Sequence, residues 1–272
     1  MKAKTKELLY LLLWACQTVS RPTFRNLTES FEGWAYRTGL HRQLLTLEKQ
    51  QLLESRNDSS GGRVHRLTSA GCLIALGGRD PQAWWSRRWD GKWRMVIFDV
   101  PQTQASARAR LRRSLASRGF GYLQDSVWIT PDPLASERQS LGRDEVDVES
   151  LILLEAQPCA GETDGDIVGG AWDFRAINER YDRCEQLLSA MPKEPLVDAP
   201  AARRLQEWFR KERLAWSEAI ELDPLLPECL HPSGYRGMKA WKQRLGIMAD
   251  AARLMKSFAQ NGPNESLSRT RR

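Results

Sequence analysis

The stretch from Trp89 to Pro101 constrains the fold of this chain more tightly than any other. Met95-Val96-Ile97-Phe98 is too short and too uniformly apolar for a surface helix, and it suits a strand buried on both faces. Asp90-Gly91 before it is a turn, because Gly tolerates positive φ and Asp can bond its own backbone. Pro101 after it has no N–H for a central ladder, so the strand runs from Trp93 to Asp99 and stops. Asp99 is thereby left at a strand end, where it either does chemistry or only caps the fold.

The residues that follow complete a small domain. Ser106 to Arg118 has Ala107, Leu111 and Leu115 on one face and five arginines on the others, which predicts a helix ended by Gly119-Phe120-Gly121. Tyr122-Leu123 and Val127-Trp128-Ile129 read as strands around Gln124-Asp125-Ser126. Pro133 to Leu141 reads as a short helix and Leu151-Ile152-Leu153-Leu154 as a further buried strand. The order strand, helix, strand, strand, helix, strand is the ferredoxin-like plan. Just upstream, Trp84, Trp85 and Trp89 lie among Arg79, Arg87 and Arg88. Interleaved Arg and Trp can stack on bases. Trp buries so much area, however, that this connector is expected to wedge two domains together.

In the first part of the chain Leu8, Leu9, Leu12, Leu13 and Cys16 recur at three- and four-residue steps, so Thr5 to Thr18 reads as a helix. Glu7 and bulky Trp14 argue against a lipoprotein-type signal in the same run. Further helices are expected over about Thr23 to Glu32 and Ala35 to Lys49. Two strands, Leu52 to Arg56 and Arg63 to Leu67, then flank the polar loop Asn57 to Gly62. Thr68 can cap a last helix, Ser69 to Leu76, which Gly77-Gly78 ends. Three helices, a hairpin and a closing helix make a winged helix-turn-helix. Its third helix carries Arg37, Thr38, His41, Arg42 and Gln43 where side chains reach base edges in a major groove. Arg56, Arg63, His65 and Arg66 flank the wing, where they would hold phosphates. The run Leu44 to Glu54 resembles that of many bacterial winged-helix regulators, with Gln51 standing where they usually carry Gly.

Beyond the middle domain, Gly161 to Gly170 reads as an acidic, glycine-rich loop. Ile177 to Leu188, Ala201 to Ile220 and Tyr235 to Met255 read as helices, with Asp223-Pro224-Leu225-Leu226-Pro227 a rigid turn between the last two. The predicted class is α+β. A winged helix-turn-helix spans residues 1–78, a Trp/Arg-rich connector 79–92, a ferredoxin-like domain 93–170, a helical domain 171–259 and a disordered basic tail 260–272.

Charge bears on the partner through its distribution. Residues 1–76 hold eleven Lys or Arg and six Asp or Glu, a net +5, whereas residues 134–173 hold ten acidic residues and two arginines, a net −8. A basic head on an acidic body fits a polyanion-binding module. Five cysteines without a C-x-x-C pair and three histidines without a cluster exclude a zinc finger and predict structural thiols in the cytoplasm. No segment approaches the ~18 apolar residues of a membrane span, and no cofactor or metal is expected.

Several motifs together resemble the PaaX family, transcriptional repressors of phenylacetic-acid degradation genes. They are Trp89-Asp90-Gly91-x-Trp93-Arg94 with Phe98-Asp99-x-Pro101, and Arg118-Gly119-Phe120-Gly121-x-Leu123 with Val127-Trp128-Ile129. Ala171-Trp172-Asp173 with Tyr181, and Asp223-Pro224-x-Leu226-Pro227, complete the set. The resemblance implies a winged helix that binds double-stranded operator DNA as a homodimer and an aryl- or acyl-coenzyme A thioester that releases it. It further implies a middle domain like the small CRISPR-associated metal-dependent nucleases, with Asp99 where those place a metal-binding aspartate.

The chain therefore reads as a sequence-specific DNA-binding regulator and not as an enzyme. The alternatives are a metal-dependent nuclease that uses Asp99 and a protein-interaction module without DNA binding. Arg112, Arg113, Arg203, Arg204 and Arg236 are available for an effector's phosphates, and Trp172 and Trp208 for its acyl part.

Overall fold

The computed structural model describes residues 1–18, 40–57, 63–134, 150–196 and 199–260. They pack as two compact units, each drawn from separate stretches of chain. One takes its residues from 1–78, 182–217 and 238–272, the other from 79–181 and 218–237. The expected helix over Thr23 to Glu32, the loop tip 58–62, most of the expected helix Pro133 to Leu141 and the tail from 261 lie outside the described residues.

In the first unit, α1 (Ala3–Thr18) meets α2 (Leu40–Lys49), the hairpin β1 (Leu53–Asn57) and β2 (Arg63–Leu67), and α3 (Ser69–Ala75). β1 and β2 pair antiparallel, with Leu53 opposite Leu67 and Ser55 opposite His65. Thr68 caps α3 by accepting from the Gly71 N–H at 3.0 Å. Gly71 is required there, because a Cβ would stand 2.1 Å from the Leu52 carbonyl oxygen. Leu8 to Leu13 are buried without exception, so α1 has no solvent face over that run and is enclosed on all sides. The unit also takes in parts of α7 (Phe174–Ser189), α8 (Ala199–Leu222) and α9 (Gly237–Gln260), and of these α8 and α9 close over α1, with Glu212 and Arg244 both bonded to the Tyr10 hydroxyl. Phe209 of α8 meets the Tyr10 ring edge-on at 6.4 Å.

The second unit opens with the short helix α4 (Pro81–Trp85) and is built on β3 (Trp93–Asp99), whose bounds are those the sequence predicts. The sheet order is β4–β5–β3–β6, with every pairing antiparallel, from β4 (Gly121–Gln124), β5 (Val127–Thr130) and β6 (Ser150–Ala156). On one face Val96, Phe98 and Trp128 pack with Leu111 and Leu115 of α5 (Ala105–Ser117). On the other, Trp93 and Ile129 pack with Val168 and Ala171 of α6 (Asp164–Ala171) and with Leu226 and Leu230. Both faces of β3 are thus covered, as its apolar run demands. The mixture of helices and antiparallel sheets is α+β.

Helix α6 corrects one expectation: Gly161 to Gly170 is not a loop throughout. The Thr163 side chain accepts from the Asp166 N–H while the Asp166 carboxylate accepts from the Thr163 N–H at 2.9 Å, a full capping box. Asp164 and Asp166 sit in the first turn, where the helix dipole favours them. Gly169 and Gly170 have no atom within 4 Å of where a Cβ would lie, so they mark low helix propensity and not a break.

Candidate nucleic-acid interface

The expected reading head is α2 and the hairpin after it. Leu44 and Leu47 are buried and anchor α2, leaving His41, Arg42, Leu45 and Lys49 exposed on its outer side. Helix α2 ends in a Schellman turn, with the Leu52 N–H donating to the Leu47 carbonyl at 2.9 Å and the Gln51 N–H to Glu48 at 2.9 Å. Gln51 holds φ at +56°. That conformation favours glycine, so the departure from the usual residue is tolerated with local strain and the turn itself is kept.

The sequence-predicted residues separate by environment. His41 and Arg42 lie side by side in the first turn of α2, both exposed, and Arg56 is exposed on β1. Arg66 is exposed on β2, opposite Glu54. Among the described residues no ion pair engages Arg42, Arg56 or Arg66. Arg63 opens β2 opposite Asn57, while Arg37 and Thr38 lie outside the described residues. Two residues differ from expectation. Gln43 is buried against the module's core, and His65 is only 3% exposed.

His65 has a clear internal task. The Ser55 hydroxyl donates to the Glu48 carboxylate, so the His65 Nδ1 at 2.7 Å from that hydroxyl is the donor. The same Nδ1 stands 3.5 Å from the Glu48 carboxylate. Strand alternation explains it: Leu53, Ser55, His65 and Leu67 share the inner face of the hairpin, and Glu54, Arg56 and Arg66 share the outer one. His65 therefore locks the hairpin to α2, while Arg56 and Arg66 face outward.

The conspicuous motifs of the second unit hold that unit together. Arg94, 5% exposed, donates to both Asp90 carboxylate oxygens, one at 2.7 Å, and to the Pro131 carbonyl at 3.2 Å. The Arg94 guanidinium holds the Asp90 carboxyl down at about 2. The Trp93 indole N–H donates to Asp164 at 2.8 Å and that of Trp172 to the Gly119 carbonyl at 3.1 Å. Gly119 has φ +88° and Gly121 lies where a Cβ would meet Ala171 at 2.7 Å. Asp223 accepts from the hydroxyls of Tyr181 and Tyr235 and from the Leu225 N–H at 2.8 Å. Burial pushes its carboxyl up, partly offset by these donors. In the connector, Arg87 is bound to Asp132 at 2.7 and 3.0 Å and Trp85 is buried beside His231 and Tyr235. Asp99 is exposed opposite Ser150, and among the described residues no group of three His, Cys, Asp or Glu comes together to hold a metal. Cys72, Cys159, Cys184 and Cys229 are free thiols, and no described helix is long and apolar enough to cross a membrane.

Residues 86–168 match the family described as the PaaX protein central Cas2-like domain. The transcriptional repressor PaaX of Escherichia coli is 27% identical over 159 residues, a match that covers 56% of this chain and 49% of that protein. The likeness thus spans about half of the curated relative. An uncharacterized protein of Mycobacterium tuberculosis is similar with a TM-score of 0.49 and 23% identity, over 82% of this chain and 84% of that one.

Proposed function

We propose that this chain, PaaX-like in its central segment, regulates transcription by binding double-stranded operator DNA through the N-terminal winged helix. The carrying observation is the exposed pair His41 and Arg42 in the first turn of a helix whose other side is anchored by Leu44 and Leu47. A recognition helix presents base-reading side chains from that first turn. Arg42 is suited to the bidentate contact with guanine. Arg56 and Arg66 lie on the outward face of the hairpin, where a wing meets phosphates. Arg37, Thr38 and Arg63 belong to the same reading, with Gln43 and His65 supporting the head from inside. The likeness to a named repressor supports regulation, and the sheet order supports a ferredoxin-like middle domain.

By the same reading the protein acts in the cytoplasm as a homodimer on a palindromic site and is released by an acyl- or aryl-coenzyme A thioester. Gel-shift titration of the chain on its own upstream region tests the core of it. Arg42→Ala is expected to cost about 1–3 kcal/mol on the preferred site and to relax base preference at one position. Equal weakening on all sequences would make Arg42 a phosphate contact. Binding that shows neither sequence preference nor salt dependence would overturn the reading.

A further inference from the structure

We propose that α5 carries a second phosphate-binding face, one that grips the backbone of duplex DNA without reading its sequence; it deepens the DNA-binding reading above and rests on it. Residues 105–118 contain Arg108, Arg110, Arg112, Arg113 and Arg118 and no Asp or Glu. With Leu111 and Leu115 turned into the core, Arg110 and Arg113 are exposed and Arg108 and Arg112 half-buried, a fan across the outward face.

None of these four makes an ion pair among the described residues. Three exposed arginines on other helices are matched by a carboxylate one turn away, Arg175 by Glu179, Arg210 by Glu207 and Arg253 by Asp250. Like charges at i,i+4 and i,i+3, here Arg108 with Arg112 and Arg110 with Arg113, destabilise a free helix. A merely solvated surface has no need of that arrangement, whereas a polyanion reverses its sign.

Three of the four guanidiniums are also held in place. Arg108 donates to the Val100 carbonyl, Arg112 to the Asp125 carbonyl at 2.9 Å, and Arg113 Nε to Ala109 at 3.2 Å. Arg112 lies over the exposed Tyr122 ring, 5.9 Å from its centroid. All five cations are Arg, whose planar fork suits phosphate oxygens better than the point charge of Lys. They are spread along a helix about 20 Å long, a length over which a duplex presents on the order of ten phosphates. A fan of that extent fits a continuous backbone and not the clustered phosphates of a single nucleotide.

The test uses the full chain with both exposed arginines changed, Arg110→Ala with Arg113→Ala. Affinity is measured on a duplex of about three helical turns from its upstream region and on a scrambled one. The salt concentration is varied from about 50 to 200 mM. The expected result is a salt slope lower by about 2 on both duplexes, with site preference unchanged and the slope largely restored by Arg110→Lys with Arg113→Lys. An unchanged slope on either duplex overturns the proposal. So does loss of coenzyme A binding in equilibrium dialysis while duplex binding is kept, which would assign the face to a small-molecule phosphate. Arg42→Ala run beside it separates the two readings. If Arg42→Ala changes nothing, the winged-helix reading fails, yet a lowered slope for the α5 variant still supports this face. A wild-type chain that binds neither duplex overturns both.

Discussion

Gln51 shows what one side chain can reveal. Its backbone is held at φ +56° by the Schellman bonds of α2 and by Thr68, whose hydroxyl donates to the Gln51 carbonyl at 2.8 Å. A non-glycine residue in that region costs on the order of 1 kcal/mol. Gln51→Gly is therefore expected to stabilise the chain by up to about 1 kcal/mol, read as a rise in urea midpoint at unchanged slope. A fall would mean that the Gln51 side chain contributes more than its backbone strain. Asp90 gives a residue-scale test of pH. Hydrogen bonding to Arg94 places its carboxyl at about 2 against an ordinary 3.8. What the pair adds to stability is complete above the ordinary value and is lost as pH falls through about 2. In a carboxyl titration followed by NMR, Arg94→Lys should move Asp90 back toward 3.8, because the bidentate fork is gone. A titration still near 2 would show that the donors other than Arg94 suffice.

At the scale of elements, the strand and helix boundaries were largely legible and the glycines were not. β3 could be read because four apolar residues between a turn and a proline admit few other conformations. α6 reads as a loop because Gly161 to Gly170 holds four glycines, at positions 161, 165, 169 and 170. The signal that outweighs them is Thr163 with Asp166, a capping box spaced three apart. Gly169→Ala should stabilise the chain by about 0.5–1 kcal/mol if the segment is helical. No gain in thermal melting would restore the loop reading. Gly121 and Gly71 should behave in the opposite way. Gly121→Ala is expected to cost about 1–3 kcal/mol by driving β4 off Ala171 and Trp172, and Gly71→Ala at least as much by pushing α3 off Leu52. Motif glycines at 119 and 121 thus mark close approach, while those of α6 mark nothing of the kind.

On the scale of the whole molecule, one cluster ties the two ends of the chain into a single unit. Arg244 of α9 is fully buried and donates to Glu212 of α8 at 2.7 Å and to the Tyr10 hydroxyl of α1, which itself donates to Glu212. Its guanidinium lies 4.2 Å from the centroid of the Trp216 ring, and burial pushes the Tyr10 hydroxyl well up. Removing one partner leaves a buried charge, so Glu212→Leu is expected to cost about 3–5 kcal/mol in urea unfolding. Glu212→Leu combined with Arg244→Met should recover most of that, since an apolar pair of similar volume has no charge to desolvate. A double variant as unstable as the single one would show that Arg244 matters for its packing and not its charge. Nothing in the neighbourhood of Tyr10, Glu212 or Arg244 foretells this meeting, because each is unremarkable on its own helix. The sequence by itself determined the local structure: the central strand, the cap at Thr68, the hairpin strands and the exposed turn of α2. Hydrophobic period and cap chemistry act over a few residues, and such signals survive without a partner. Tertiary structure alone decided that all of Leu8 to Leu13 is enclosed, that His65 and Gln43 face inward, and that stretches from both ends of the chain form one unit. These depend on which distant surfaces meet, and burial is a property of the pair of surfaces, not of either stretch alone.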